Sequence, residues 1–593
     1  MRMKKTLLLT LVVLFAGAVC AQIPDTPAGR QFSAWLTAFN SGDPATMQQF
    51  FDKSMTFGRL DQDMGIRNRT GGFDVKKVEE SSETRIVVLA QERGSGKQFT
   101  RIVMTVAAAE PYQVAGLRFG AAQPPPELAP PKMTAEEAAT ARTGVPFHQF
   151  SAWLEAFNSG DRTRIGQYLE TSFPSIKLDA EMNFRERTGG FELRSLEQAT
   201  DTTLTGLVQE RGSDQFGRFN LVVETDEPHR IARLGINAIP RPAEFPMPRL
   251  SEAEAIAALR AEVEKDAAAG RFAGAVLLAH LENGDKPAKV LFSGAYGLAD
   301  REKNVANKLD TRFRIGSMNK MFTAVSVLQL VQAGKIKLTD PLGKYIADYP
   351  NRDVAAKVTI HHLLTHTGGT GDIFGPEFNA RRLELRTLND YVALYGKRAP
   401  AFEPGSRWVY SNYGMLLAGV VVERVSGQSY YDYVAEHIYK PAGMTLTGSE
   451  PESEAVRDRS IGYMRPQGSG AWTPNTDTLP YRGTSAGGGY STVGDLMKFA
   501  DALMGHKLLN AENTQLLIAG KVDSGGGGRY AYGFEDGRKD GVGAVGHGGG
   551  APGMNGDLRI YPQSGYVVAV LSNLDPPAAQ QVSAFLDLRL PKQ

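Results

Sequence analysis

One block of this chain is written twice. Gln31-Phe32-Ser33-Ala34-Trp35-Leu36 returns as Gln149-Phe150-Ser151-Ala152-Trp153-Leu154, and Arg69-Thr70-Gly71-Gly72-Phe73 returns as Arg187-Thr188-Gly189-Gly190-Phe191, both 118 residues further on. Gln91-Glu92-Arg93 and Gln209-Glu210-Arg211 keep that offset, after which one residue is lost and Arg101 aligns with Arg218. Self-similarity held over several separated motifs marks a duplicated domain, so the first two-fifths of the chain must be two copies of one small fold. Each copy opens with apolar residues at helical spacing (Phe32, Trp35, Leu36, Phe39; Phe150, Trp153, Leu154, Phe157). The helix stops at Asn-Ser-Gly-Asp, a helix end followed by an N-cap. Strand-like runs follow, such as 84–89 and 219–223. The pattern predicts helix first, then sheet: small α+β units of about 95 residues.

Proline-rich segments punctuate the layout. They divide the chain into repeats at 28–121 and 146–238, linkers at 122–145 and 239–249, and a third region at 250–593. The opening Phe-x-x-Trp-Leu-x-x-Phe-Asn-x-Gly-Asp resembles the cone-shaped domains of the nuclear-transport-factor-2-like superfamily, whose members serve as enzymes, ligand pockets or dimerisation modules. A Gly-Gly turn with a buried Phe accounts for the repeated Arg-Thr-Gly-Gly-Phe. With no convincing cluster of histidine and carboxylate in either copy, the repeats read as binding or spacing modules.

Arg2, Lys4 and Lys5 precede an apolar run from Leu7 to Val19, ending at Val19-Cys20-Ala21: residues 1–21 have the form of a cleaved export signal. Cys20 is the one cysteine of the 593 residues, so cleavage after Ala21 leaves no thiol for a disulfide; the rival reading, a lipidated Cys20, lacks the usual Gly or Ala before it. The expected location is the periplasm or the exterior, with no transmembrane segment in the mature chain. A net charge of +1 and no polybasic run argue against nucleic acid as a partner. Oligomeric state is open at this point.

The third region carries the chemistry. In Ser317-Met318-Asn319-Lys320 a hydroxyl and an amine stand three residues apart in a segment that reads as helical, so the Lys320 amine can approach Ser317 Oγ from one turn away. Serine needs a neighbouring base, and an amine whose pKa is lowered by burial can supply one. Ser-x-x-Lys alone recurs by chance, but two later features add to it. Tyr410-Ser411-Asn412 follows the helix-breaking run Phe402-Glu403-Pro404-Gly405, and His547-Gly548-Gly549-Gly550 lies just before a strand-like stretch from Leu558 to Val570.

At these residues the chain resembles the serine penicillin-recognising enzymes, in the class C β-lactamase-like branch that includes DD-peptidases, D-amino-acid peptidases and family VIII-type carboxylesterases. His361 to Gly369, Val425-Ser426-Gly427, Pro441 to Met444 and Ala486 to Ser491 look like the same family, and the resemblance spans roughly residues 250 to 590. It implies Ser317 as nucleophile, Lys320 as base in acylation, and Tyr410 as proton relay and activator of the deacylating water. It further implies that Asn412, His547, Gly548 and Gly549 contact substrate, and that the backbone N–H groups of Ser317 and Gly550 form the oxyanion hole. No cofactor is required, and the histidines show no metal-ligand spacing. The fold expected is α+β: an antiparallel sheet flanked by helices, plus an all-α region, with the site at their boundary. A C-terminal helix is read from Ala578 to Leu590, and an N-terminal helix from Ser251 to Ala269 with Ser251 capping and Glu254 three residues on.

Three alternatives compete. Gly483-Thr484-Ser485-Ala486-Gly487 matches a nucleophile elbow, but prolines and glycines surround it where a strand and a helix are needed. His366 in Thr-His-Thr-Gly is expected to close a helix and bond backbone carbonyls. A catalytically dead fold that binds cell-wall peptides would have lost at least one of Ser317, Lys320, Tyr410, Asn412 and His547, yet all are present. As to substrate, His547 replaces the lysine, and Gly548 the threonine, of the commoner Lys-Thr-Gly form. Both anchors for a substrate carboxylate are thereby weakened, which favours small esters or amides over penicillins and D-Ala termini.

Overall fold

The computed structural model describes residues 22–55, 60–94, 99–107, 110–122, 133–247, 249–282, 286–465, 472–525, 528–538 and 541–591. The expected export signal and the proline-rich stretch 123–132 lie outside them. The chain divides into two compact units, 1–129 and 130–593.

The first unit holds three helices, Pro27–Ser41, Pro44–Ser54 and Leu60–Thr70, followed by a four-stranded antiparallel meander from Phe73–Ser81 to Val114–Ala122. Phe32, Trp35 and Phe39 face the sheet and are buried against Phe73, Ile86, Val88 and Ile102. The Asn-Ser-Gly-Asp signal works as read: Gly42 takes a left-handed φ of 71°, and the Asp43 carboxylate accepts the N–H groups of Ala45 and Thr46. Asn40 adds a clamp, its carboxamide bonding both the N–H and the C=O of Phe73 at 2.8 Å. Phe73 is buried beyond the Gly71-Gly72 turn.

Within the second unit the same order recurs: helices Val145–Ser159, Arg162–Ser172 and Leu178–Thr188, then a meander from Phe191–Ala199 to Ile231–Ile239, with Asn158 clamping Phe191. Two helices per copy escaped the sequence reading, because their apolar residues are sparse. A further helix, Ala135–Ala141, sits in the stretch read as linker, started by a capping box between Thr134 and Glu137.

From residue 250 onward an eight-stranded antiparallel sheet is built from both ends of the region: Lys289–Tyr296, Gly274–His280, Tyr566–Ser572, Met554–Ile560, Val545–Ala551, Glu535–Asp536, Gly528–Tyr530 and Val522–Gly525, in that spatial order. The helices Glu252–Ala268 and Ala578–Asp587 cover one face through an apolar layer that includes Leu259, Val263, Val582 and Leu586. On the other face lies a larger core around the helix Asn319–Gln332 and the helical segment between residues 342 and 442. The architecture is the α+β arrangement expected. One placement differs: the His547-Gly-Gly-Gly run is itself a strand, Val545–Ala551, and not a loop ahead of one. Glycines have low strand propensity, but neighbour pairing on the sheet overrides it, and the absence of side chains is what the site requires.

Candidate active site

Ser317 sits in the 3-10 turn Gly316–Met318, directly ahead of the helix Asn319–Gln332. This helix is apolar on every side and buried through Leu328, so its first turn is held rigidly in the core. Gly316 takes φ 53°, and a Cβ there would stand 3.1 Å from the Gly550 nitrogen. At Gly549 a Cβ would fall 1.9 Å from the Ile315 carbonyl oxygen. These two glycines allow the strand Val545–Ala551 and the turn that carries Ser317 to touch backbone to backbone. That strand pairs along its length with Met554–Ile560, but with Glu535–Asp536 only at Val545 and Gly546. From His547 to Ala551, one edge has no strand partner among the described residues, and it runs past Ser317.

Lys320 is the electrostatic centre. Its ammonium is fully buried and lies 3.1 Å from Ser317 Oγ and 2.7 Å from Asn412 Oδ1, with a third bond to the Ala486 carbonyl. Burial lowers its pKa to about 7, opposed by the negative charge of Asp372. Asp372 in turn accepts from Asn412 Nδ2 at 3.2 Å, so the Asn412 carboxamide spans the acid and the amine. Asn412 is delivered by the N-terminus of the helix Asn412–Ser426, where Ser411 caps the Gly414 N–H at 2.9 Å. Tyr410, two residues earlier, has its ring centroid 4.8 Å from Lys320 Nζ, and its hydroxyl lies beside Ser317. Burial raises the phenol well above its ordinary pKa, so it is held neutral.

His547 is brought beside this group, but in an unexpected posture. It is buried, with Nδ1 on the Gly548 carbonyl at 2.5 Å and Nε2 2.9 Å from the Tyr530 hydroxyl, so no ring nitrogen is left over for a substrate. Burial and then the nearby Lys320 lower its pKa to about 3, which makes it neutral at every physiological pH.

His366 corrects another expectation. It follows the helix Ile360–Leu364 in the left-handed region at φ 59°, but its imidazole bonds no carbonyl: Nδ1 accepts the Ser411 N–H at 3.2 Å, and the ring lies 4.4 Å from that of Tyr410. A neutral ring, forced by burial and by Lys320, acts as an acceptor and positions the Tyr-Ser-Asn turn. Ser485 is fully buried with its hydroxyl donating to the Leu416 carbonyl at 3.3 Å, so the elbow-like match is structural.

Sequence reasoning missed Asp372, Tyr530 and the Ala486 carbonyl. The glycine-rich turn before Asp372 and the repeated glycines after Ala486 are weak signals of tight backbone, and Tyr530 carries none.

The chain was compared with known proteins. The family model described as Beta-lactamase matches residues 259–590. The putative penicillin-binding protein PbpX of Bacillus subtilis (strain 168) is 30% identical over 308 residues, covering 51% of this chain and 70% of that protein. Esterase EstB of Burkholderia gladioli is 31% identical over 246 residues, covering 36% and 62%. A penicillin binding protein from Bacillus halodurans, a solved structure, shares 34% identity over 55% of this chain and 97% of its own, with a TM-score of 0.49. With more than half of its length matched by the family, the chain belongs to the β-lactamase-related serine hydrolases.

Proposed function

We propose that this protein is an exported hydrolase that acts through an acyl-enzyme on a small ester or amide, of the esterase or D-amino-acid peptidase type. The observation that carries the reading is the 3.1 Å contact between Ser317 Oγ and a buried Lys320 amine whose pKa falls to about 7. An amine neutral near pH 7 takes the Ser317 proton as Oγ attacks the carbonyl carbon. The N–H groups of Ser317 and Gly550 then receive the negative charge on the substrate oxygen. Tyr410, beside Ser317 and with its ring close to Lys320, passes a proton to the leaving group and activates water for deacylation. Asn412 keeps Lys320 aligned, and its remaining N–H serves the substrate amide or carbonyl.

Preference for substrates without a carboxylate is supported by His547, neutral and bonded to Tyr530 and Gly548, and by the absent hydroxyl at Gly548. The presence of a curated esterase and of penicillin-binding proteins among the relatives is consistent with both this reading and a DD-carboxypeptidase or β-lactamase alternative. Fluorophosphonate should label the protein covalently, Ser317→Ala should abolish both labelling and turnover of p-nitrophenyl acetate, and Ser485→Ala should retain labelling. Ampicillin turned over as efficiently as the ester would overturn the substrate preference, and absence of labelling would favour a binding protein.

A further inference from the structure

In the strand Met554–Ile560, which pairs with the strand that passes Ser317, Asn555 stands opposite Gly550 and is buried, with 1% of its surface exposed. Asparagine is disfavoured inside a sheet, and its carboxamide is costly to bury unless both ends find partners. Both ends are taken. Oδ1 accepts the Ala579 N–H at 2.6 Å, in the first turn of the helix Ala578–Asp587, and Nδ2 donates to the Gly549 carbonyl at 2.8 Å. These partners allow one orientation of the carboxamide, since flipping it would set N–H against N–H and oxygen against oxygen.

The second bond bears on the Ser317 site. The Gly549–Gly550 peptide is trans, so its C=O and N–H lie in one plane and point in opposite directions; whatever fixes the Gly549 oxygen fixes the Gly550 N–H. The Gly550 nitrogen lies against the turn that carries Ser317, 3.1 Å from where a Cβ on Gly316 would stand. A peptide between two glycines has no side chain to limit its rotation, so a hydrogen bond must supply the restraint that other residues would give. Capping the helix needs only the acceptor Oδ1. The donor Nδ2 is spent on the strand.

We infer that Asn555, on the hydrolase reading above, is a positioning residue for the oxyanion hole: by holding the Gly549 carbonyl on one side of the peptide it aims the Gly550 N–H at the other, toward Ser317. Asn555→Ala should lower kcat/KM for p-nitrophenyl acetate about ten- to hundredfold, less than the outright loss of an oxyanion donor costs. It should weaken inhibition by a trifluoromethyl ketone by the same factor. In that adduct Ser317 Oγ bonds the ketone carbon, the hydroxyl proton passes to Lys320, and the carbonyl oxygen becomes an alkoxide in the hole. Ser583→Ala is the control, because Ser583 ties the same helix to the same strand through Asp557 at 2.6 Å without touching Gly549. It should lower Tm comparably and leave both values at wild type. Asn555→Asp, assayed near pH 9 with its carboxylate ionised, keeps an acceptor for Ala579 but has no proton for Gly549, and should be as slow as Asn555→Ala. A crystal structure of Asn555→Ala reads the peptide without turnover and should show the Gly549–Gly550 plane rotated. Wild-type turnover in Asn555→Ala, losses shared equally by Ser583→Ala, or an unmoved peptide plane overturns the inference. A wild-type protein that fluorophosphonate does not label refutes the hydrolase reading instead, and the crystal structure still decides whether Asn555 sets the Gly550 N–H.

Discussion

Burial lowers the basicity of Lys320, and Asp372 partly restores it. A buried ammonium without a counter-charge loses its proton easily, and the carboxylate is the group that opposes this. Only neutral Lys320 accepts the Ser317 proton, so kcat/KM for a neutral ester should fall about tenfold per pH unit below an apparent pKa near 7. Asp372→Asn removes the opposing charge and lowers the Lys320 pKa further. Its acid limb should move to lower pH in a pH–rate profile; a shift to higher pH would refute the electrostatic account. Gly549 is constrained by sterics instead. Because a Cβ there would overlap the Ile315 carbonyl, Gly549→Ala should push the strand off the Ser317 turn, cutting kcat by several orders of magnitude and lowering Tm. Gly548→Ala, whose nearest neighbour is the flexible end of the Gln580 side chain, with Asp557 and Gly556 in ordinary contact at 3.7 Å, should be far milder in the same assays.

At the scale of elements, the site is the meeting of three backbone ends. The helix Asn319–Gln332 presents Lys320 from its first turn, the helix Asn412–Ser426 presents Asn412 from its first residue, and the strand Val545–Ala551 presents an open edge. Ser411 joins the second helix to the rest: it caps Gly414 and also donates to the Gly371 carbonyl, next to Asp372. Ser411→Ala should cost about 1–2 kcal/mol of stability in denaturant unfolding and lower kcat more than it raises KM. A variant with full activity and reduced stability would show that the cap supports the helix without placing Asn412. His366, wedged against Tyr410, belongs to the same scaffold and explains why a positive-φ histidine stands there.

Across the whole molecule, the second repeat is attached to the hydrolase region by ion pairs Arg465 to Glu186 and Arg589 to Asp214, and to its following linker by Phe216 stacked on Phe245 at 5.2 Å. At the position of Glu186 the first copy has Asn68, and its loop around Asp214 differs by the one-residue change in length. A fragment of residues 130–593, which is one compact unit, should keep ester turnover. One of residues 245–593 should keep some turnover but unfold at lower temperature; equal Tm for the two fragments would mean that the contacts contribute nothing. Among the described residues no helix is long and apolar enough to cross a membrane. Much of this was legible in the residues themselves. The duplication, the caps at Asp43 and Ser251, and the approach of Lys320 to Ser317 follow from local rules of spacing and hydrogen bonding, which any chain with those residues must obey. What the tertiary structure alone decided is environment: that Lys320 is stripped of water, that His547 is turned to Tyr530, and that Asp372 reaches Asn412 from 40 residues away. Burial and long-range partners set pKa values and free edges, and they depend on which distant segments pack together, which the spacing of residues along a chain does not record.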